Sequence, residues 1–236
     1  MKRLAAPAFW PVEKKTKKFV VRLAPGPHSK EESMPLGLVL RDVLKYARTS
    51  REAGEILKAG HVRVDGVLRK EKRFPVGVMD VLTVGNEVYR VLPDKKGLYM
   101  RKIPKAEAVT KLLKVTDKRT IKKAKTQLNF HDGTNALSDA EISTKDVVVF
   151  DTVGRTIKSV IKFDKGSTAL ITGGRNRGGV GRIEKIIIVK SSKPNYVVVD
   201  MGDRKIAIPE DYIFVVGTGE PAIKLNERQT DAGGAG

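Results

Sequence analysis

The sequence predicts an α+β chain, mostly β, divided into several small domains. Three observations carry this. Helical apolar spacing is confined to residues 36–59, period-two alternation recurs from residue 61 onward, and five short β-type runs split by Gly, Asn and Pro fill residues 168–216. The expected order is a basic N-terminal arm (1–35), a small α+β domain (36–92), a central β-rich domain (93–169), a small C-terminal barrel (170–216) and a C-terminal extension (217–236).

The arm holds Pro7, Pro11, Pro25, Pro27 and Pro35 around the run Lys14, Lys15, Lys17 and Lys18, and no apolar period persists in it. It is expected to be ordered mainly by a partner, with "FVVRL" (19–23) as a short strand. Trp10 beside Phe9 has the chemistry to stack on a base or to tether the arm in an apolar pocket. From Leu36 the residues Leu36, Val39, Leu40, Val43, Leu44 and Ala47 form a helical stripe. Thr49 and Glu52 make a capping box for a second helix that turns Ala53, Ile56 and Leu57 inward and stops at Gly60.

"HVRVDGVLR" alternates around Asp65-Gly66, a two-residue hairpin signal, and "DVLTVGNEVYRVL" supplies further strand. In the middle, "KLLKVTDKRTIKKAKTQLNF" fits neither period, whereas "DVVVFDTVGRTIKSVIKF" reads as two strands across a turn. "TALIT", "VGRIEKIIIVK", "YVVVDM", "KIAI" and "YIFVV" are the barrel strands. The final "TDAGGAG" is expected to be disordered.

Charge narrows the function. Lys and Arg number 46 against 27 Asp and Glu, a formal net charge of +19, with surpluses of +7, +2, +8 and +2 in residues 1–48, 49–92, 93–169 and 170–236. Such a field attracts polyanions, nucleic acid first among them. No apolar run is long enough to span a bilayer, and Pro7 and Pro11 interrupt any leader-like start. Absence of cysteine removes disulfides, thiolate metal sites and cysteine nucleophiles, in keeping with a reducing, cytoplasmic setting.

Candidate chemistry lies in two places. "ITGGRNRGGVGRIEKI" (171–186) has the glycine spacing of a phosphate loop between Gly174 and Gly179, but Val180 and Gly181 stand where lysine and a hydroxyl are needed. It reads instead as a flexible loop presenting Arg175, Arg177 and Arg182 to a nucleic-acid backbone. The second place is "TSREAGEILKAG" with its hairpin. Arg51 and Lys58 share a helix face, His61 and Arg63 share a strand face, and Arg41, Lys45 and Arg48 come from the preceding helix, so one basic concavity is expected. His28, His61 and His131 have no metal-ligand spacing; His131 reads as a turn or RNA-facing residue. Neither metal, cofactor, small-molecule substrate nor membrane is expected as a partner.

In order, "KRLAAPAFW", "GPHSKEESMPL", "LRDVLKYA", "HVRVDGVLR", "FPVGVMDVLTV", "HDGTN", "VIKFDKG", "ITGGRNRGGVGRI" and "NYVVVDM" to "IFVVGTGEPAIKL" resemble the archaeal and eukaryotic small-subunit ribosomal protein family called S-four-e. The resemblance spans nearly the whole chain. It implies that 36–92 is a small RNA-binding domain, that 171–186 is a KOW motif in an SH3-like barrel, and that the chain is a non-enzymatic component of the small subunit. Its partners would be ribosomal RNA and neighbouring ribosomal proteins. Matching cations on the RNA would be Arg51, Lys58, His61, Arg63, Arg175, Arg177 and Arg182. The other expected RNA contacts are Lys2, Arg3, Lys14, Lys15, Lys17, Lys18, Arg22, Arg41, Lys45, Arg48, Arg69 and Arg73. Two rivals remain: an RNA-modifying enzyme, for which "FDTVGR" (150–155) is a poor catalytic loop, and a KOW-type transcription factor.

Overall fold

The computed structural model describes residues 1–13, 15–121 and 125–225; among them α-helix forms only where the apolar spacing is helical, and the strands build three five-stranded antiparallel sheets. Strand β1 (Ser33–Pro35) leads into α1 (Leu36–Leu38), whose backbone continues through Val39–Val43 as a π-type turn, the Leu44 N–H donating to the Val39 carbonyl. The expected stripe is therefore a short helix with a wide last turn: Leu36, Leu38, Val39 and Leu40 are fully buried, while Val43 and Leu44 are half-buried. The capping box is present. Thr49 Oγ1 accepts from the Glu52 N–H at 3.2 Å, and the Glu52 carboxylate reaches back to the Arg48 N–H at 2.8 Å, so α2 (Ser50–Lys58) starts with its first donors satisfied.

After Gly60 the chain forms β2 (Val62–Val64) and β3 (Val67–Leu68), joined through Asp65 at φ +50° and Gly66 at φ +77°, the paired positive values that a type I′ turn requires. β4 (Pro75–Gly77) pairs with β1; β5 (Val81–Val84), β6 (Glu87–Asp94) and β7 (Gly97–Lys102) complete the first sheet in the order β3-β2-β5-β6-β7. The boundary expected at 92 falls inside β6. Pro93 sits near the end of a hairpin strand opposite Leu98.

The second sheet holds β8 (Thr110–Thr120), β9 (Thr126–Phe130), β10 (Asn135–Ser138), β11 (Val147–Asp151) and β12 (Thr156–Ile161), ordered β10-β9-β8-β11-β12. A register shift between Val115 and Asp117 explains why β8 matched neither period. Residues 110–114 pair with β11 and residues 115–120 with β9, and the bulge between them inverts the alternation. Leu113, Val115, Leu128, Phe130, Ile142, Val148 and Phe150 form this sheet's own core.

All five expected C-terminal strands are present: β13 (Ser167–Ile171), β14 (Val180–Ile187), β15 (Tyr196–Asp200), β16 (Lys205–Pro209) and β17 (Ile213–Thr218), in the order β16-β15-β14-β13-β17. This unit begins before 170 and ends beyond 216, and Ile223 and Leu225 of the extension pack against its core. The "TDAGGAG" tail lies outside the described residues.

The arm departs most from expectation, because its own chain holds it. Trp10 is 3% exposed and its indole N–H donates to the Ser33 carbonyl at 2.9 Å, while Ala6 and Val20 join the main core. Trp10 therefore tethers and does not offer a stacking face. "FVVRL" is not a strand: Phe19 makes only an isolated bridge to Lys2, and the remaining residues spend their backbone elsewhere.

Candidate nucleic-acid interface

The largest group of solvent-facing cations lies on the small α+β unit and the arm beside it. Lys45, Arg48, Arg51, Lys58, His61, Arg63 and Arg73 are exposed, as are Lys2, Lys15, Lys17, Lys18 and Arg22 on the arm. Lys14 lies outside the described residues. α2 and the hairpin hold their members in one region, since Lys58 ends the helix and the chain turns at once into His61 and Arg63. The Arg73 Nε–H donates to the Arg22 carbonyl at 3.4 Å, and the Ala24 N–H donates to the Arg73 carbonyl at 2.9 Å, so the arm extends this surface. Lys70 and Lys72, exposed in the same loop, belong to it and escaped the sequence reading. Arg51 is 90% exposed and pairs only with Glu55, an i,i+4 contact of small net value.

Four expected contacts are instead drawn into the protein. Arg3 is 6% exposed and its guanidinium donates to the Glu13 carbonyl and the Thr16 hydroxyl. Arg41 makes two bonds, 2.9 and 2.7 Å, to the neighbouring Asp42 carboxylate, which cancels its charge locally. Arg69 lies over the Phe74 ring at 4.3 Å and Arg177 over the Phe9 ring at 5.0 Å.

The glycine-rich loop is used the same way. Gly178, at φ +82°, sits where an added Cβ would stand 2.9 Å from Asp94 Cα, so glycine is needed for contact with the β6–β7 turn. The loop thus docks on the first sheet through Gly178 and on the arm through Arg177, leaving Arg175 and Arg182 exposed.

The densest electrostatics were missed altogether. Lys111, 1% exposed, donates to Asp65 at 2.7 Å, Asp80 at 2.7 Å and Asp132 at 2.8 Å. Asp80 also accepts from His28 Nε2 at 3.0 Å and from the Gly77 N–H at 2.9 Å. One cluster therefore ties the arm, the first sheet and the central sheet together. Burial works against the Lys111 ammonium, but the carboxylates of Asp80, Asp65 and Asp132 outweigh it and hold its pKa above the usual lysine range. Burial, with Asp80 nearby, lifts Asp65 to about 6. At Asp80 the opposing burial is outweighed by Lys111 and His28, which keep it well below the usual carboxylate range.

His131 lies in a turn, one of the two readings of it, and its ring faces inward rather than toward RNA. Its Nδ1 accepts from the Lys114 N–H at 3.2 Å and its Nε2 lies 3.2 Å from the Val78 carbonyl, so the proton is on Nε2 and the ring is neutral. Burial lowers its pKa to about 4. A signal for this cluster existed in the sequence: Lys111 and Asp80 each stand inside an apolar run, where a charge is seldom buried unless paired.

A family model described as "Ribosomal family S4e" matches residues 85–157, one described as "S4 domain" matches 36–82, and one described as "RS4NT (NUC023) domain" matches 1–31. The chain is 45% identical over 229 residues to the small ribosomal subunit protein eS4 of Methanothermobacter thermautotrophicus, covering 95% of each chain. It is 43% identical over 231 residues to that of Archaeoglobus fulgidus, covering 95% of this chain and 97% of the other. Among solved structures, the 30S ribosomal protein S4e of Thermoplasma acidophilum superposes with a TM-score of 0.70 at 34% identity, over 79% of this chain and 96% of that one.

Proposed function

Because the chain belongs to the ribosomal S4e family, we propose that it is a non-enzymatic constituent of the small ribosomal subunit that binds ribosomal RNA and supports subunit assembly. One observation carries the proposal of where it binds. Residues 36–82 present Lys45, Arg48, Arg51, Lys58, Arg63, Lys70, Lys72 and Arg73 to solvent, and of these only Arg51 forms an ion pair among the described residues. Unpaired cations release counterions when they meet phosphates, which gives affinity without base recognition. Register on the RNA then comes from shape, since the wide minor groove and phosphate spacing of A-form helices are read without sequence.

The arm cations and Arg175 and Arg182 of the glycine-rich loop extend the same contact, and neighbouring ribosomal proteins are the remaining partners. The modifying-enzyme reading loses its one candidate, because Asp151 accepts from the Val153 and Gly154 N–H groups and pairs with Lys158 at 2.9 Å, which makes it a turn cap.

The test is sedimentation of a lysate on a sucrose gradient with and without ribonuclease, followed by salt washing of the small-subunit peak. Stoichiometric protein released only by ribonuclease or very high salt is the expected result. Free or substoichiometric protein refutes the proposal.

A further inference from the structure

A groove of about 900 Å³ opens between β3, β10 and the β11–β12 hairpin, and RNA binding by the cations above makes no use of it. It lies where the central sheet stops short of closing. β10 and β12 are the outer strands of their sheet, and among the described residues neither has a second strand partner. Both nonetheless line the same groove, β10 through Asn135–Ser138 and β12 through Thr156 and Ile157. The bulge in β8 turns its two halves onto different neighbours. On the third side stands Val67 of β3, the outer strand of the first sheet.

Three features define what fits. Outer strands carry unpaired N–H and C=O rows, which are templates for a further strand. Apolar side chains lie bare beside them: Leu137 is 57% exposed and Val67 42%. Charge argues against nucleic acid, for the lining sets four aspartates, Asp65, Asp80, Asp132 and Asp139, against Arg69, Lys111, Arg155 and His28, the last bonded to Asp80. A wall with no cationic surplus, in a chain of net charge +19, offers little to a phosphate backbone. An extended polypeptide with apolar side chains at alternate positions satisfies the edge and the bare apolar residues together, since Asp65, Asp80 and Asp132 are already held by Lys111.

We propose that this groove is a strand-addition site, filled in the assembled particle by an extended segment of another protein that pairs with β10. The free edges offer four residues on β10 and six on β12, which sets the length of the segment. The proposal rests on the small-subunit reading for the particle in which the partner is found.

The test uses intact small subunits. Incorporation of the unsubstituted chain is measured first, so that failure of the small-subunit reading shows separately. Benzoylphenylalanine then replaces Leu137 in one variant and Asn135 in another; both are exposed positions on one face of β10, so the fold is retained. After irradiation of purified subunits, both variants should cross-link to one stretch of one protein, at positions two residues apart, the step that strand pairing imposes. A nucleotide adduct, no adduct, or protein adducts without that step overturns the proposal.

Discussion

Replacing Lys111 by methionine removes the ammonium shared by two buried carboxylates, Asp80 and Asp132, and the half-buried Asp65. Its contacts are 2.7, 2.7 and 2.8 Å long, and the Lys111, Asp80 and Asp132 side chains are 1, 1 and 5% exposed. At an effective dielectric of about 20, each contact represents about 6 kcal/mol of gross attraction, most of it offset by the desolvation of both ions. What the substitution exposes is the cost of stranding the carboxylates around an apolar side chain, about 3–5 kcal/mol, a large share of a total stability of about 5–15 kcal/mol. The loss depends on pH. Without the ammonium, burial and mutual repulsion raise the folded-state pKa of Asp65, already about 6, and of its neighbours. Groups with raised pKa contribute stability at low pH that is lost as pH rises through the folded value, so the deficit relative to the parent should grow from pH 5 to pH 8. Urea unfolding at both pH values measures it. Adding Asp65→Asn and Asp132→Asn, which leaves Asp80 to His28, should restore at least half. A loss under about 1 kcal/mol at pH 8, or the same loss at pH 5 and pH 8, refutes the reasoning.

Three further outcomes are expected. Arg51→Gln, Lys58→Gln and Arg63→Gln together should reduce the log–log salt slope of RNA binding by about three while leaving stability within about 0.5 kcal/mol. Arg175→Ala and Arg177→Ala should part ways. The first lowers that slope by about one; the second leaves it unchanged but costs about 0.5–1 kcal/mol of stability by removing the cation from Phe9. For His131, with a folded pKa of about 4 against 6.5 unfolded, the unfolded chain takes up the proton first. Stability should therefore fall by about 2–3 kcal/mol as pH drops from 6.5 to 4, and His131→Asn should remove that part of the acid sensitivity in parallel denaturation curves.

Much of the fold was legible because it is written in near-neighbour chemistry. The Thr49–Glu52 cap, the Asp65-Gly66 turn, the β11–β12 hairpin and the five C-terminal strands each depend on residues within one element or its turn. β8 was illegible because a single bulge reverses its alternation, and the limit expected at 92 falls within β6, which runs on to Asp94. The arm read as partner-ordered from its prolines and lysines, yet one indole, Trp10, reaches Ser33 and the core.

By itself the sequence determined that this protein is a basic, mostly β polyanion binder, and which cations populate α2 and its hairpin, since those properties follow from composition and from local periodicity. Only the tertiary structure decided which cations remain free. Arg3, Arg41, Arg69 and Arg177 look in sequence like their exposed neighbours, but carbonyls, a carboxylate and aromatic rings meet them in the folded chain. The structure likewise gathered His28, Asp65, Asp80, Lys111 and Asp132 into one cluster. Burial and pairing are properties of distance in space, and these residues, spread from 28 to 132 in sequence, reach their partners at 2.7–3.0 Å only after the arm and the first two sheets have packed.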